Sequence, residues 1–299
     1  MRYGFVGLGN LGGHLAASLL SEGFEVTVND VDPTLAERHL ALGGAWCPDV
    51  VELAKVCDTV ITCLPSPAVT EQVLDRLLKG LPSGATWIEM STLGRDDILR
   101  LAEVAAAKGV RTLEAPVTGG VHLAGQGRIT VLAGGEADLF EAHRPALQAM
   151  GGQIFHMGPL GSAAVIKVIT NMLAFIHLVA DGEALMLAKR GGLDLAKAWQ
   201  AIAASSGTSF VHETEGQLIL NGSYDIAFTM DLALKDLGFA MDFGREFGVP
   251  LDLAARTKEI FDQGRAAYGG GAQSTQIVKL LEDALGTDLR APGFPARLE

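Results

Sequence analysis

The sequence predicts an α/β chain with a doubly wound, mostly parallel sheet in its first half and an all-α domain after it. Three observations predict this. Short β-like runs alternate with amphipathic helical segments up to about Gly158. A glycine-rich turn, Gly7-Leu8-Gly9-Asn10-Leu11-Gly12, follows the first strand-like run and opens a helical segment. From Pro159 onward the alternation stops and only helical spacing remains. The expected domains are 1–161 and 162–299, the second entered through a long interdomain helix.

The chain has 299 residues, 48% of them hydrophobic and 19% charged, enough for a large core and two domains. The net charge of −12 argues against nucleic acid or an anionic membrane as main partner. Cys47, Cys57 and Cys63 form no CxxC pair, which suits a reducing cytoplasm better than a disulfide framework. The sequence opens directly in a strand-like run with no signal peptide before it, so a cytoplasmic location is expected. The apolar run through Met172–Ala180 contains His177 and is followed by Asp181 and Glu183, which reads as a buried helix rather than a membrane span.

Arg2–Val6 is the first strand. Gly7 allows the tight turn, Gly9 lets the backbone approach a pyrophosphate, and Gly12 lets helix and strand pack closely. The N-terminus of the helix through His14–Leu20 attracts the phosphate charge. A dinucleotide-binding Rossmann domain is expected over 1–161. Glu25–Asn29 is the second strand and ends at Asp30, whose carboxylate suits ribose hydroxyls and would repel a 2′-phosphate. NAD is therefore expected over NADP. Asp30 also reads as a turn carboxylate, although Asp32, just before Pro33, fills a capping role better.

Further strands follow at Thr59–Leu64, Ala85–Met90, Arg111–Ala115, Ile129–Ala133 and Ile154–His156. Ligands bind at the carboxyl ends of such strands, so Leu64-Pro65 and Ser91-Thr92 lie on the cofactor side. Each has a plainer reading too, as a strand-ending proline or a helix cap. Thr118-Gly119-Gly120 places a hydroxyl and exposed N–H groups in one loop, a cradle for a carboxylate or else a flexible turn.

Helices are expected at 162–189, 194–204, 212–221, 230–247, 251–266 and 274–285, with an irregular tail over Arg290–Glu299. Lys167 sits inside the longest apolar run, and Asn171 lies one helical turn further on the same face. A lysine in apolar surroundings loses hydration and its pKa falls, as proton transfer near neutral pH requires. Lys167 is therefore read as the general acid/base of a dehydrogenase. Lys235-Asp236 is the other charged pair in an apolar helix, open between a structural ion pair and a functional role.

Over about residues 1–285 the chain resembles the β-hydroxyacid dehydrogenases, the 3-hydroxyisobutyrate dehydrogenase-like group. Gly7–Gly12 is similar to the family's glycine motif, with Leu11 where Met is usual. Glu114-Ala115-Pro116-Val117-Thr118-Gly119-Gly120 resembles its substrate motif DAPVSGG. Gly158 through Asn171 is similar to the catalytic motif GxGxxxKxxNN, with Thr170 in place of the first asparagine. Lys235-Asp236-Leu237 matches its KDL segment, and Leu64-Pro65 and Ser91-Thr92 match cofactor-contact positions.

The resemblance implies that Gly7, Leu8, Gly9, Asn10, Leu11, Gly12, Asp30, Leu64, Pro65, Thr92 and Lys235 serve NAD. It implies a small carboxylate-bearing substrate held by Thr118, Gly119, Gly120 and Asn171, with Lys167 as acid/base. The loop 207–215 departs from the family pattern, and His122, Ser209 and His212 are read either as pocket contacts or as surface residues. The alternative substrate is a small acidic aldehyde of the tartronate semialdehyde or sulfolactaldehyde type. A homodimer or homotetramer is expected, with no nucleic acid, membrane or metal.

Overall fold

The computed structural model describes residues 1–298, in two compact units, Met1–Lys167 and Val168–Glu299. In the first unit six strands form a parallel sheet: β1 (Tyr3–Val6), β2 (Val26–Asn29), β3 (Ala45–Trp46), β4 (Thr59–Thr62), β5 (Thr86–Glu89) and β6 (Arg111–Glu114). Their order is β3-β2-β1-β4-β5-β6, so the direction in which strands are added to the sheet reverses between β1 and β4. The connecting helices are α1 (Gly12–Ser21), α2 (Glu37–Ala41), α3 (Val50–Val56), α4 (Pro67–Leu77) and α5 (Arg95–Ala106).

β1, β4 and β5 are buried at every position, which explains their near-continuous apolar runs. Successive residues alternate between two cores. Phe5, Ile61 and Ile88 pack on one face of the sheet, and Val6, Val60 and Trp87 on the other.

The expected single sheet ends sooner than the alternation suggests. β7 (Val117–Thr118), β8 (Ile129–Ala133) and β9 (Gly151–His156) form a separate sheet, antiparallel between β7 and β8 and parallel between β8 and β9. Pro116 has no N–H to extend the ladder. Instead Glu114 and Gly134 exchange backbone bonds of 3.0 and 2.9 Å. α6 (Gly120–Gly125) and α7 (Ala137–Met150) complete this region.

α8 (Ser162–Arg190) begins in the first unit and continues into the second. It is 29 residues long and, by length and composition alone, apolar enough to cross a membrane. Phe175, Leu178, Leu185 and Met186 on it are instead buried in the core of the second unit. That unit adds α9 (Leu195–Ala203), α10 (Phe210–Glu213), α11 (Glu215–Asn221), α12 (Met230–Phe247), α13 (Asp252–Tyr268) and α14 (Lys279–Leu285). The expected helix at 212–221 starts earlier and breaks at Thr214, and the first turn of the expected 274–285 helix is 3-10. The tail is irregular but pinned: Arg290 bonds Glu282 at 3.1 Å and the Tyr224 hydroxyl at 2.9 Å.

Candidate active site

The glycine loop has the backbone its motif requires. Gly7 has φ +99°, and a Cβ there would lie 2.3 Å from the Cys63 carbonyl oxygen. At Gly12 a Cβ would lie 2.1 Å from the Gly7 carbonyl oxygen, so the turn and α1 close on each other only without side chains. Gly9 and Asn10 are exposed, Leu8 is buried, and no side chain caps the start of α1 at Leu11. The loop therefore presents backbone to an approaching group, with a helix N-terminus behind it. Asp30 follows β2 and steadies the loop: one carboxylate oxygen accepts the Leu8 N–H at 2.6 Å, the other the Asp32 N–H at 2.9 Å. These features fit a dinucleotide.

A second cluster joins the carboxyl ends of β4 and β5. The Leu64 N–H donates to the Ser91 hydroxyl at 2.7 Å, which brings Leu64-Pro65 and Ser91-Thr92 together. Beneath them Glu89, 1% exposed, accepts the Ser91 N–H at 2.6 Å and the Thr62 hydroxyl. The Thr62 oxygen in turn accepts the Trp87 indole N–H at 2.7 Å. Burial pushes the Glu89 carboxyl up to about 7, against hydrogen bonds that favour its ionised form. Burial, and secondarily Glu89, pushes the Cys63 thiol up to about 12, so it is inert.

Thr118 ends β7, and Gly119 and Gly120 follow with φ +121° and +86°. A positive φ at both positions is the backbone that glycine takes most easily. The His122 ring lies against Gly120: a Cβ on that glycine would be 3.1 Å from it. Burial lowers the pKa of His122.

Lys167 is 8% exposed, in the second turn of α8. In the second unit Asn171 donates to the buried Asp236 carboxylate at 2.6 Å, and Lys235 lies 2.9 Å from the other oxygen of that carboxylate. Asp236 therefore links two residues that the sequence singled out separately. Lys235 forms an ion pair with Asp236 and stays partly exposed.

His212 is the correction. The sequence reads it as a substrate-pocket contact or a surface residue, and its 0% exposure fits neither. Nε2 donates to the Trp199 carbonyl at 2.9 Å, Nδ1 lies 3.2 Å from Asp181, and the ring stacks on the Trp199 indole. Burial works to lower its pKa, but the Asp181 carboxylate and the Trp199 carbonyl raise it overall. Ser209 caps α10 by accepting the His212 N–H at 3.0 Å. Both residues are thus structural parts of the helical unit.

Residues 2–158 match the NAD-binding domain of 6-phosphogluconate dehydrogenase, and residues 161–281 the NAD-binding region of NADP-dependent 3-hydroxyisobutyrate dehydrogenase. The 2-(hydroxymethyl)glutarate dehydrogenase of Eubacterium barkeri is 32% identical over 97% of this chain and 97% of its own. The chain belongs to the β-hydroxyacid dehydrogenase family. As a member it is an oxidoreductase of hydroxyacids that uses a pyridine nucleotide. The family's 3-hydroxyisobutyrate dehydrogenase from Pseudomonas aeruginosa is 33% identical, covering 86% of this chain and 90% of its own. Among solved structures, the Mycobacterium tuberculosis 3-hydroxyisobutyrate dehydrogenase with L-serine has a TM-score of 0.84 at 28% identity, covering 94% of this chain and 99% of that one.

Sequence reasoning missed Glu89 and Asp236 as organisers of their loops and helices, and it read Glu114 only as part of a motif. A carboxylate flanked by apolar residues, as in Trp87-Ile88-Glu89-Met90, was the available signal.

Proposed function

We propose that this dehydrogenase oxidises a small β-hydroxyacid of the 3-hydroxyisobutyrate type with NAD, using Lys167 as general acid/base. The observation that carries the reading is the burial of Lys167, at 8% exposure, between Ile166 and Val168 in the apolar first turns of α8. Held at the glycine loop, NAD would supply a hydride acceptor for the carbinol carbon and, in its reduced form, the donor for the reverse direction. Lys167 takes the hydroxyl proton as that hydride leaves and gives it back in the reverse direction. The Thr118 hydroxyl and the N–H groups of Gly119 and Gly120 receive the carboxylate. Asn171 orients the hydroxyl or the carboxylate, and Lys235 serves the nicotinamide end.

Asp30 supports NAD over NADP, because its carboxylate accepts from ribose hydroxyls and repels a 2′-phosphate. Exposed apolar side chains of the second unit, Leu173, Leu187, Phe247, Val249 and Leu253, support a homodimer or homotetramer that covers them. The three free cysteines suit a reducing cytoplasm.

The test is a turnover screen with NAD and NADP, each against 3-hydroxyisobutyrate, glycerate, serine, threonate and sulfonate analogues, and in reverse against small acidic aldehydes. Preferred turnover of 3-hydroxyisobutyrate or a near analogue with NAD is expected. Preference for an acidic aldehyde, or for NADP, would overturn the corresponding part of the proposal. Light scattering of the purified chain reads the oligomeric state, and a monomer would contradict that part.

A further inference from the structure

We infer that Glu114 is a positioning residue for this reaction: its buried carboxylate grips the first turn of α8 and so sets where Lys167 stands. The inference rests on the acid/base reading of Lys167 given above.

β6 ends on Glu114, which is 2% exposed. Its Oε1 accepts the Ala163 N–H at 3.0 Å and its Oε2 the Ala164 N–H at 2.9 Å. The Gly161 N–H, just before the helix, also favours the ionised form of this carboxylate. Amides at a helix start have no carbonyl one turn back to accept them. A local cap would satisfy them from the preceding residue. Here the cap comes from 49 and 50 residues away, so it ties the helix to the end of the sheet. In an α-helix the N–H of Lys167 bonds back to the carbonyl of Ala163, so the turn carrying the lysine is built directly on the gripped one.

The surroundings are shaped for this contact. The paired backbone bonds between Glu114 and Gly134 fix the main chain. A Cβ at Gly134 would lie 2.3 Å from Glu114 Oε1, so only glycine leaves room for the carboxylate. Downstream, Ala115-Pro116 leads into Val117 and then Thr118, the start of the proposed carboxylate cradle. One residue therefore anchors both the helix that bears the base and the strand end that leads to the substrate loop.

Burial raises the Glu114 carboxyl to about 7, while the three amides favour its ionised form. Glu89 is its register partner on β5, and the stem of Arg95 on α5 lies beside Gly161. Arg111, on the same strand, is engaged by Glu136 and by Asp138 at 2.8 Å. Protonation puts a hydrogen on one of the two accepting oxygens and loosens the cap.

The test is Glu114→Gln in the full chain, which keeps size but removes the charge and one acceptor. Amide hydrogen exchange over residues 160–168 is expected to quicken about tenfold, as loss of a helix cap does. The kcat is expected to fall about tenfold, with cofactor Kd held within about twofold. In the aldehyde-reducing direction Lys167 acts as an acid, so a fall in kcat below about pH 7 does not come from the lysine. That limb is expected in the wild type and absent from Glu114→Gln. If Glu89 were its source, the limb would persist in the variant and refute the assignment. Gly134→Ala, which displaces the carboxylate without changing its chemistry, is expected to reproduce the loss.

Unchanged exchange in Glu114→Gln would overturn the inference, and so would faster exchange with wild-type kcat. Lys167→Ala, measured alongside, separates the two readings. Retained turnover there sinks the acid/base role, while the exchange contrast still reports whether Glu114 holds the helix.

Discussion

Glu89 and Glu114, in the sheet unit, are held mainly by backbone N–H groups, whereas the buried acids of the helical unit are held mainly by side chains. Asp181 faces His212, Asp236 faces Asn171 and Lys235, and Glu282 faces Tyr224 and Arg290. The difference follows from what each unit has to do. In the sheet unit the backbone donors belong to the loops and the helix start on which the candidate site stands, so a carboxylate there sets position. In the helical unit most partners come from a distant helix, loop or tail, Lys235 beside Asp236 on α12 excepted, so a carboxylate there joins packed segments. Backbone-held acids also lack a compensating cation, which is why burial pushes both glutamates up to about 7.

The contrast can be broken most sharply at Asp181. Asp181→Ala leaves a buried imidazole without its acid and is expected to lower stability by about 3 kcal/mol. Glu89→Gln removes one charge from a network that can rearrange, and is expected to cost about 1 kcal/mol. Urea unfolding of both variants checks this, and equal losses would erase the distinction.

The pH dependence of stability sharpens it. The two glutamates have folded pKa values near 7 against about 4.5 unfolded. The folded chain therefore holds its protons longer, and their contribution is complete below the unfolded value and lost as pH rises towards 7. His212 is also raised, from 6.5, so its contribution is complete below that value and lost at higher pH. The two windows adjoin. Melting scans from about pH 4 to about pH 9 should show Glu89→Gln flattening the acidic window and Asp181→Asn the upper one. A variant that flattened the wrong window would contradict the assignment.

Asp30 is the half-buried relative of the backbone-held acids, bonded to Leu8 and Asp32. Its removal should affect the cofactor more than the fold. Asp30→Ala is expected to raise the Kd for NAD about tenfold and that for NADP less. Isothermal titration with both nucleotides reads the ratio, and an unchanged preference would take Asp30 out of the ribose site.

Most of this architecture was legible in the sequence, because it rests on local periodicity. The glycine turn after β1, the helix stops at Gly222 and Gly248, and Lys167 with Asn171 one turn on all depend on neighbours within a few residues. What escaped depends on distant partners. β3 is only two residues long and carries too little pattern to register. The split of the sheet after β6 needs the pairing of Glu114 with Gly134. His212 looked like a loop histidine until Trp199 and Asp181 enclosed it. Glu114 carried a motif resemblance, but its role as a cap depends on amides some fifty residues away.

Lys167→Arg tests the acid/base role most directly, because arginine keeps the positive charge but does not deprotonate. NAD binding is expected to stay within about twofold while kcat falls by about a thousandfold or more across the pH range. A variant that bound NAD and turned over hydroxyacid at close to the wild-type rate would show that the proton goes elsewhere.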